Sequence, residues 1–243
     1  MKKTISFILC IFVLLTFVSC GGKDDNNNIN NANDRTNTTV NDVTDAPTEA
    51  QTEAPTVDRT NLRIAMFGDS LVAGLAGYGV TDRIDLFGSV SLSTQGVFDT
   101  KAQGGDIAII DEIAGDQYDV IIIHLGINEV GNDTDSFIST YTKVIEGVRA
   151  RAPYAEVWIH GILPVSQGAE DSSQFGVTNA GISEKNDRLS LLAAELGCRF
   201  IDAGEIFRGD DGTLKSGVAS DGIHPNKENC EIWANWIINK VTA

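Results

Sequence analysis

Short apolar runs alternate along this chain with longer stretches in which apolar positions recur every three or four residues. The runs predict buried strands, and the longer pattern predicts amphipathic helices. The predicted strands are residues 62–67, 118–124, 155–163 and 199–202, and the clearest helices are residues 137–151, 184–196 and 226–241. This alternation predicts an α/β fold of three layers, in which helices cover both faces of a central, mostly parallel sheet.

The amino terminus has the pattern of an export signal. Two lysines precede an apolar stretch over residues 5–18, and Ser19 stands directly before Cys20. The stretch is shorter than the ~20 residues that a membrane span requires, so it predicts a signal peptide over residues 1–19. It also resembles a bacterial lipobox, which implies that Cys20 is lipidated. An ordinary secretion signal and a retained anchor are the alternatives.

Residues 20–61 are rich in Asn, Thr, Asp, Ala and Pro and contain almost no large apolar side chain. Such a segment cannot bury enough surface to offset the entropy of ordering. It predicts a disordered tether with a typical end-to-end distance of roughly 35 Å. Residues 62–243 suffice for one domain with a substantial core. We therefore expect an extracytoplasmic domain that is held at a bacterial cell surface through a lipid anchor alone.

The charge of the chain restricts its partners. The formal net charge is −16, and loss of the two leader lysines would make it −18. An acidic surface disfavours nucleic acid and flat docking on anionic lipid. It is compatible with a small ester or a neutral glycan. No histidine and cysteine grouping has the spacing of zinc ligands, so we expect no metal site. We also expect that the protein uses no cofactor and is a monomer.

Four further side chains have less specific interpretations. Cys198 precedes a predicted strand and Cys230 lies in the last predicted helix. An exported protein could join them in a disulfide, and a pair of buried thiols is the alternative. His124 and His160 both lie in predicted strands, where we expect a structural role or a place in the lining of a pocket.

A serine stands where an apolar strand stops. Gly68 breaks the run over residues 62–67, so we expect Ser70 in an exposed loop at the carboxyl edge of the sheet, where open parallel sheets bind ligands. A serine nucleophile needs a histidine to remove its proton and a third group to orient the imidazole. His224 can be the base, and Asp221, three residues earlier, can reach its ring. The three residues predict an acyl-transfer site.

The strongest strand pattern leads to another polar side chain. Residues 118–124 are followed by Leu-Gly-Ile-Asn-Glu, which places Asn128 at the same edge of the sheet. Its amide could donate to the oxyanion that develops in acyl transfer, a role worth a few kcal/mol. An asparagine in a turn or at a helix cap is the alternative.

Together the three segments resemble the sequence blocks of the GDSL or SGNH hydrolase family. The matching residues are Gly-Asp-Ser-Leu at 68–71, Gly-Ile-Asn at 126–128 and Asp-Gly-Ile-His at 221–224. The resemblance extends over residues 62–241 and implies a flavodoxin-like fold. It also implies that Ser70 is the nucleophile and that Asp221 and His224 complete the catalytic triad. The oxyanion hole would consist of the Ser70 amide, Asn128 and a glycine of the second block.

That second block departs from the family pattern. Ser91 stands where a subgroup of the family has glycine, and we favour it over Gly105, with Gly96 third. Any of them would donate a backbone N–H, so the conformation matters more than the side chain. Glu129 replaces the usual aspartate after the asparagine, as in a subgroup that reads Leu-Gly-Ile-Asn-Glu.

The resemblance implies a serine esterase that forms an acyl-enzyme and removes short acyl groups, acetyl above all, from carbohydrate. The loop over residues 164–178 is mostly small and polar, which also favours a short acyl group on a hydrophilic carrier. One alternative keeps the triad and changes the reaction to a lysophospholipase, a thioesterase or an acyltransferase. The other is a non-catalytic surface lipoprotein that binds glycan.

Overall fold

The structure is a computed structural model that describes residues 58–173 and 176–243. The predicted signal peptide, Cys20 and almost all of the predicted tether lie outside these residues. Five parallel strands form the sheet of the described part, in the order β2-β1-β3-β4-β5. They are β1 (Ile64–Gly68), β2 (Ile84–Gly88), β3 (Val120–His124), β4 (Glu156–His160) and β5 (Arg199–Ile201).

Helices connect these strands. They are α1 (Ser70–Tyr78), α2 (Ile109–Glu112), α3 (Thr134–Arg151), α4 (Gln167–Ser172), α5 (Asn179–Leu196), α6 (Gly204–Phe207) and α7 (Lys227–Thr242). No helix in the described ranges is both long enough and apolar enough to cross a membrane.

Two apolar clusters, one on each face of the sheet, build the core. Successive strand residues point to opposite faces, and so Ile64 and Met66 pack with α1 and α7, whereas Ala65 and Phe67 pack with α2, α3 and most of α5. The predicted three-layer α/β/α fold is therefore confirmed. The register brings the last residues of β1, β2 and β3 level with one another, because Gly68 pairs with both Gly88 and His124.

All four predicted strands are present, and each is shorter than predicted. The apolar run over residues 155–163 stays in the sheet only as far as His160, because Asn186 then replaces the neighbouring strand as hydrogen-bond partner. Its amide accepts from the Ile162 nitrogen at 2.7 Å and donates to the Ile162 oxygen at 2.9 Å. Strand β2 was not predicted: it is a short edge strand in which Asp85 is exposed.

The predicted helices begin elsewhere because polar caps set their first residues. Asp133 accepts from the Ser136 nitrogen and Thr178 from the Gly181 nitrogen, so α3 and α5 begin before their first apolar positions. Asn226 likewise caps α7.

The two domain cysteines are free thiols. Cys230 lies in the cluster beneath α1 and α7, and Cys198 packs against the cluster on the other face of the sheet. The sheet separates them, so the disulfide does not form.

Candidate active site

The turn between β1 and α1 contains a single residue, Asp69. Its Oδ1 accepts a hydrogen bond from the Leu71 nitrogen at 3.0 Å and caps the helix. Gly68, the last residue of β1, approaches β3 so closely that a Cβ there would lie 2.2 Å from the His124 carbonyl oxygen. Ser70 is consequently the first residue of α1. The expectation that it lies in a loop is wrong, because an aspartate directly after the strand can start a helix at once.

A chain of hydrogen bonds links the three residues proposed as a triad. Ser70 Oγ lies 2.9 Å from His224 Nε2, and His224 Nδ1 lies 2.6 Å from Asp221 Oδ2. A carboxylate only accepts hydrogen bonds, so Nδ1 carries the proton of the neutral ring. Nε2 is then the free base that accepts from the serine hydroxyl.

The loop before α7 holds Asp221 in place. Its Oδ1 accepts from the nitrogens of Ile223 at 2.9 Å and of His224 at 2.8 Å. Burial opposes ionisation of Asp221, but these bonds together with the His224 ring outweigh it and lower the pKa of the carboxyl group. Gly222 has a φ of 79°, and a Cβ there would lie 2.0 Å from Ser166 Oγ. The loop therefore needs glycine between the acid and the base.

Asn128 lies in a short 3-10 turn that follows β3. Its side-chain nitrogen donates to the Leu92 carbonyl oxygen at 3.0 Å. An amide nitrogen has two N–H groups, so this bond orients the side chain and leaves one N–H for a ligand. Asn128 lines the same cavity as Ser70 and His224.

Of the three residues considered for the second block, Ser91 lies at the site. It lines the cavity beside Ser70, and its φ of 59° is the left-handed conformation that glycine adopts readily. It is the only non-glycine residue within the described ranges that has a positive φ. Gly105 and Gly96 do not line the cavity, and their nitrogens donate to the Ala102 oxygen at 2.9 Å and to Ser93 Oγ at 3.2 Å.

Glu129 joins the loop of Ser91 to the loop of Asn128. The carboxylate is buried and accepts from both the nitrogen and the hydroxyl of Thr94, each at 2.8 Å. Sequence reasoning treated Glu129 only as a tolerated replacement and did not identify Thr94. Nothing in the sequence pairs two residues that are 35 positions apart.

Asp69 is a second buried carboxyl group that sequence reasoning missed. Its side chain has no exposed surface, and its Oδ2 lacks a hydrogen-bond partner among the described residues. Burial raises the pKa of Asp69 to about 7. The hydrogen bond from the Leu71 nitrogen opposes this rise, and the negative charge of Glu129 adds to it.

The cavity in front of Ser70 has a volume of about 750 Å³. Besides the residues already named, its lining mixes short polar side chains, namely Ser93, Gln95, Asn132, Ser172 and Ser173, with apolar ones, namely Ile127, Ala169, Val177 and Ile223. Asp221 and His224 are both exposed. The site is thus an open groove of mixed polar and apolar lining with a serine nucleophile candidate in it, and we call it the polar groove for its hydroxyl and amide side chains.

His124 and His160 lie in the core and do not line this cavity. Their Nδ1 atoms are 3.1 Å apart, and Trp233 donates its indole N–H to His160 Nε2 at 2.9 Å. Burial lowers the pKa of both imidazoles, so they stay neutral and have a structural role. Across the described part of the chain, no group of three or more His, Cys, Asp or Glu residues is placed to hold a metal ion.

A parallel α/β sheet with a hydrogen-bonded Ser-His-Asp chain at its carboxyl edge defines the class of serine hydrolases. Residues 66–229 match the model of the GDSL-like lipase/acylhydrolase family. The chain belongs to this family, and it is an ester-cleaving hydrolase. A comparison with curated proteins gives no significant match.

Solved structures share the fold at low identity. A protein from Streptococcus pneumonia is 19% identical with a TM-score of 0.60, over 78% of this chain and 86% of that one. The periplasmic domain of a lipopolysaccharide acetyltransferase from Salmonella ser. Paratyphi A is 21% identical with a TM-score of 0.54, over 76% and 86%. A carbohydrate acetylesterase from Sinorhizobium meliloti is 17% identical with a TM-score of 0.53, over 74% and 98%.

Proposed function

We propose that this esterase removes short acyl groups, acetyl above all, from carbohydrate through an acyl-enzyme intermediate. The observation that carries the proposal is the hydrogen-bonded chain from Asp221 through His224 to Ser70, which opens into a polar groove. A complete chain of this kind argues for catalysis over a non-catalytic glycan-binding role.

In the first half of the reaction, Ser70 Oγ attacks the carbonyl carbon of the ester while His224 Nε2 takes the hydroxyl proton. Asp221 holds the ring and stabilises the imidazolium. The tetrahedral intermediate collapses as His224 returns this proton to the oxygen of the departing alcohol. Ser70 is then acylated.

The negative oxygen of the intermediate needs donors that are already in place. Asn128 supplies the N–H that Leu92 does not use, and the backbone nitrogens of Ser70 and Ser91 supply the others. Ser70 opens α1, where the helix dipole favours negative charge. In the second half, His224 takes a proton from water, the hydroxide attacks the acyl carbon, and His224 reprotonates Ser70.

The polar part of the lining supports a hydrophilic carrier. Ser93, Gln95 and Asn132, which carry hydroxyl and amide groups, line the groove and suit the hydroxyls of a sugar. Two solved structures with this fold, the Sinorhizobium carbohydrate acetylesterase and the Salmonella lipopolysaccharide acetyltransferase domain, have names that describe work on acetyl groups. The acidic composition, with a net charge of −16, favours a neutral glycan over a polyanion.

We also propose that the enzyme works outside the cytoplasm, anchored by lipid on Cys20. This rests on the export pattern of residues 1–20. The tether over residues 20–61 would then let the groove reach glycans away from the membrane.

The test is an acyl panel on residues 58–243. Wild-type protein should cleave p-nitrophenyl acetate with a far higher kcat/KM than the octanoate, should release acetate from acetylated polysaccharide and should react with a fluorophosphonate probe. Ser70→Ala should lose hydrolysis and labelling and keep its melting temperature, whereas Ser190→Ala, an exposed serine on α5, should behave as wild type.

Three results would contradict the proposal. Residual activity of Ser70→Ala above a tenth of wild type would exclude this nucleophile. A preference for octanoyl or longer chains would favour a lipase or lysophospholipase. Acyl transfer to a glycan acceptor that outpaces hydrolysis would favour an acyltransferase.

A further inference from the structure

A second cavity adjoins the reactive pair on the side of α1. It has a volume of about 300 Å³ and shares Ser70 and His224 with the polar groove. The rest of its lining comes from one face of α1 and from the chain that enters and begins α7, namely Leu71, Gly74, Gly77, Tyr78, Pro225 and Cys230. Ser70 and His224 therefore stand between two spaces.

The two spaces differ in chemistry. Apart from the reactive pair, the second cavity is lined mostly by apolar surface, with the Tyr78 phenol and the Cys230 thiol as its polar groups, and no charged side chain lines it. The Cys230 thiol donates to the Pro225 carbonyl oxygen at 3.3 Å, and burial raises the pKa of this thiol to about 11. Cys230 is thus a neutral, weakly polar wall. An ester at Ser70 would meet a mixed polar and apolar lining on one side and a mostly apolar lining on the other.

Two glycines keep the second cavity open. Glycine is less favourable than alanine inside a helix, yet Gly74 and Gly77 both lie in the nine-residue helix α1. Neither has a positive φ, and a Cβ at either position would meet no atom within 4 Å. Since neither the backbone conformation nor close packing requires glycine there, these residues leave open space along α1, and Gly74 does so one helical turn from Ser70.

We propose that this second cavity binds the acyl chain of the ester while the polar groove binds the carrier. This inference rests on the proposed function. Asn128 and Ser91 line only the polar groove, so the carbonyl oxygen faces that side. The hydrocarbon of the acyl group can then extend along α1, where burial of apolar surface is favourable. The cavity is small, so it takes a short chain and excludes a long one.

Filling the cavity should change acyl selectivity. Gly74→Leu places a strong helix former in the free volume. We expect the ratio of kcat/KM for p-nitrophenyl butyrate to that for the acetate to fall at least tenfold. Gly74→Ala should give a smaller shift in the same direction. Ala76→Leu, which is exposed on the same helix and lines neither cavity, should leave the ratio unchanged.

The outcomes separate the two proposals. If wild type hydrolyses acetate and Ser70→Ala does not, but folded Gly74→Leu and Gly74→Ala keep the wild-type ratio, the acyl site is wrong and the esterase stands. The same holds if Gly74→Leu alters selectivity between methyl acetate and butyl acetate and not between acyl chains, because the cavity would then bind the alcohol. If wild-type protein cleaves no ester, both proposals fall.

Discussion

The carboxylate of Glu129 accepts two hydrogen bonds from a single residue, Thr94, one from its backbone nitrogen and one from its hydroxyl, both at 2.8 Å. Thr94 lies three residues after Ser91, and Glu129 directly follows Asn128. The pair therefore links the two loops that carry the Ser91 backbone N–H and the Asn128 amide of the proposed oxyanion hole. The bond from Asn128 to the Leu92 oxygen is a second link between the same loops.

Glu129→Gln should reduce kcat about tenfold or more and change KM little. A glutamine carries no charge and offers one oxygen and one NH2 group, so one of the two charge-assisted bonds from Thr94 is lost or reversed, and a displacement of about 1 Å near a reacting centre can cost roughly 100-fold. The free energy of unfolding should fall by about 1.5–3 kcal/mol, the range for hydrogen bonds to charged groups. Steady-state kinetics and urea unfolding measure the two effects.

Variants of Thr94 provide the control for this link. Thr94→Ser keeps the hydroxyl and should retain most of kcat, whereas Thr94→Val should resemble Glu129→Gln. If all three variants kept the kcat of the wild type, the hydrogen bonds between Glu129 and Thr94 would have a purely structural role.

Asn128→Ala should lower kcat about 100- to 1,000-fold, the usual loss for one oxyanion donor, with KM almost unchanged. The amide is proposed to act on charge that exists only in the transition state. Kinetics with p-nitrophenyl acetate separate kcat from KM. An effect on KM alone would reassign Asn128 to substrate binding.

Ser91→Gly should keep kcat within a few-fold of wild type. The proposed donor is the backbone N–H, and glycine preserves it in the same left-handed conformation. A non-glycine residue in the left-handed region costs about 1–3 kcal/mol. Glycine relieves this strain but also gives the unfolded chain more conformational entropy, which offsets part of the gain. The variant should therefore be more stable by about 1 kcal/mol or less. Thermal unfolding measures this. A large loss of kcat would show that the hydroxyl itself takes part.

The sequence was sufficient to predict the central strands of the sheet and the residues that meet at its carboxyl edge. Strands β1 and β3 are continuous apolar runs, and in a parallel sheet their carboxyl ends lie at one edge, so Ser70 and Asn128 could be placed there. The family blocks added His224 and Asp221. The helix that begins at Ser70 was missed because the break at Gly68 was interpreted as the start of a loop, and Asp69 was not considered as a helix cap.

Other features depend on contacts that the sequence does not display. Strand β2 is recognisable only beside β1, since its own pattern is short and half exposed. Thr94 becomes significant only when Glu129 lies against it. Glycines 74 and 77 look like weak points in a helix until the space beside them is visible.

Cys20→Ser should release the protein from the membrane fraction or leave an unprocessed precursor, because lipidation requires the thiol. Fractionation of cells and immunoblotting of the full-length chain measure both location and size. Cys10→Ser is the matched control: this cysteine lies within the predicted signal peptide, and its loss should change neither. If Cys20→Ser keeps wild-type location and size, lipidation is wrong.

Asp69→Asn should have little effect at about pH 4 and should become increasingly more stable than wild type as the pH rises to about 7. Burial raises the pKa of Asp69 to about 7 in the folded state, compared with about 3.9 in an unfolded chain. Between these values the folded protein holds a proton that the unfolded chain has lost. The favourable contribution of Asp69 is therefore fully present below pH 4 and is lost as pH rises through 7, at up to about 1.4 kcal/mol per pH unit.

The measurement is the difference in free energy of unfolding between Asp69→Asn and wild type, from urea titrations at pH 5, 6, 7 and 8. Asparagine caps helices as well as aspartate does, so the bond to the Leu71 nitrogen is expected to survive. The difference also cancels the buried His124 and His160, whose lowered pKa values make stability fall as the solution becomes more acidic. It should grow in favour of the variant up to about pH 7 and then level off. A difference that stays constant from pH 5 to 8 would mean that Asp69 is already ionised at pH 5 in the folded protein. Burial and the negative charge of Glu129 would then not raise the pKa of Asp69.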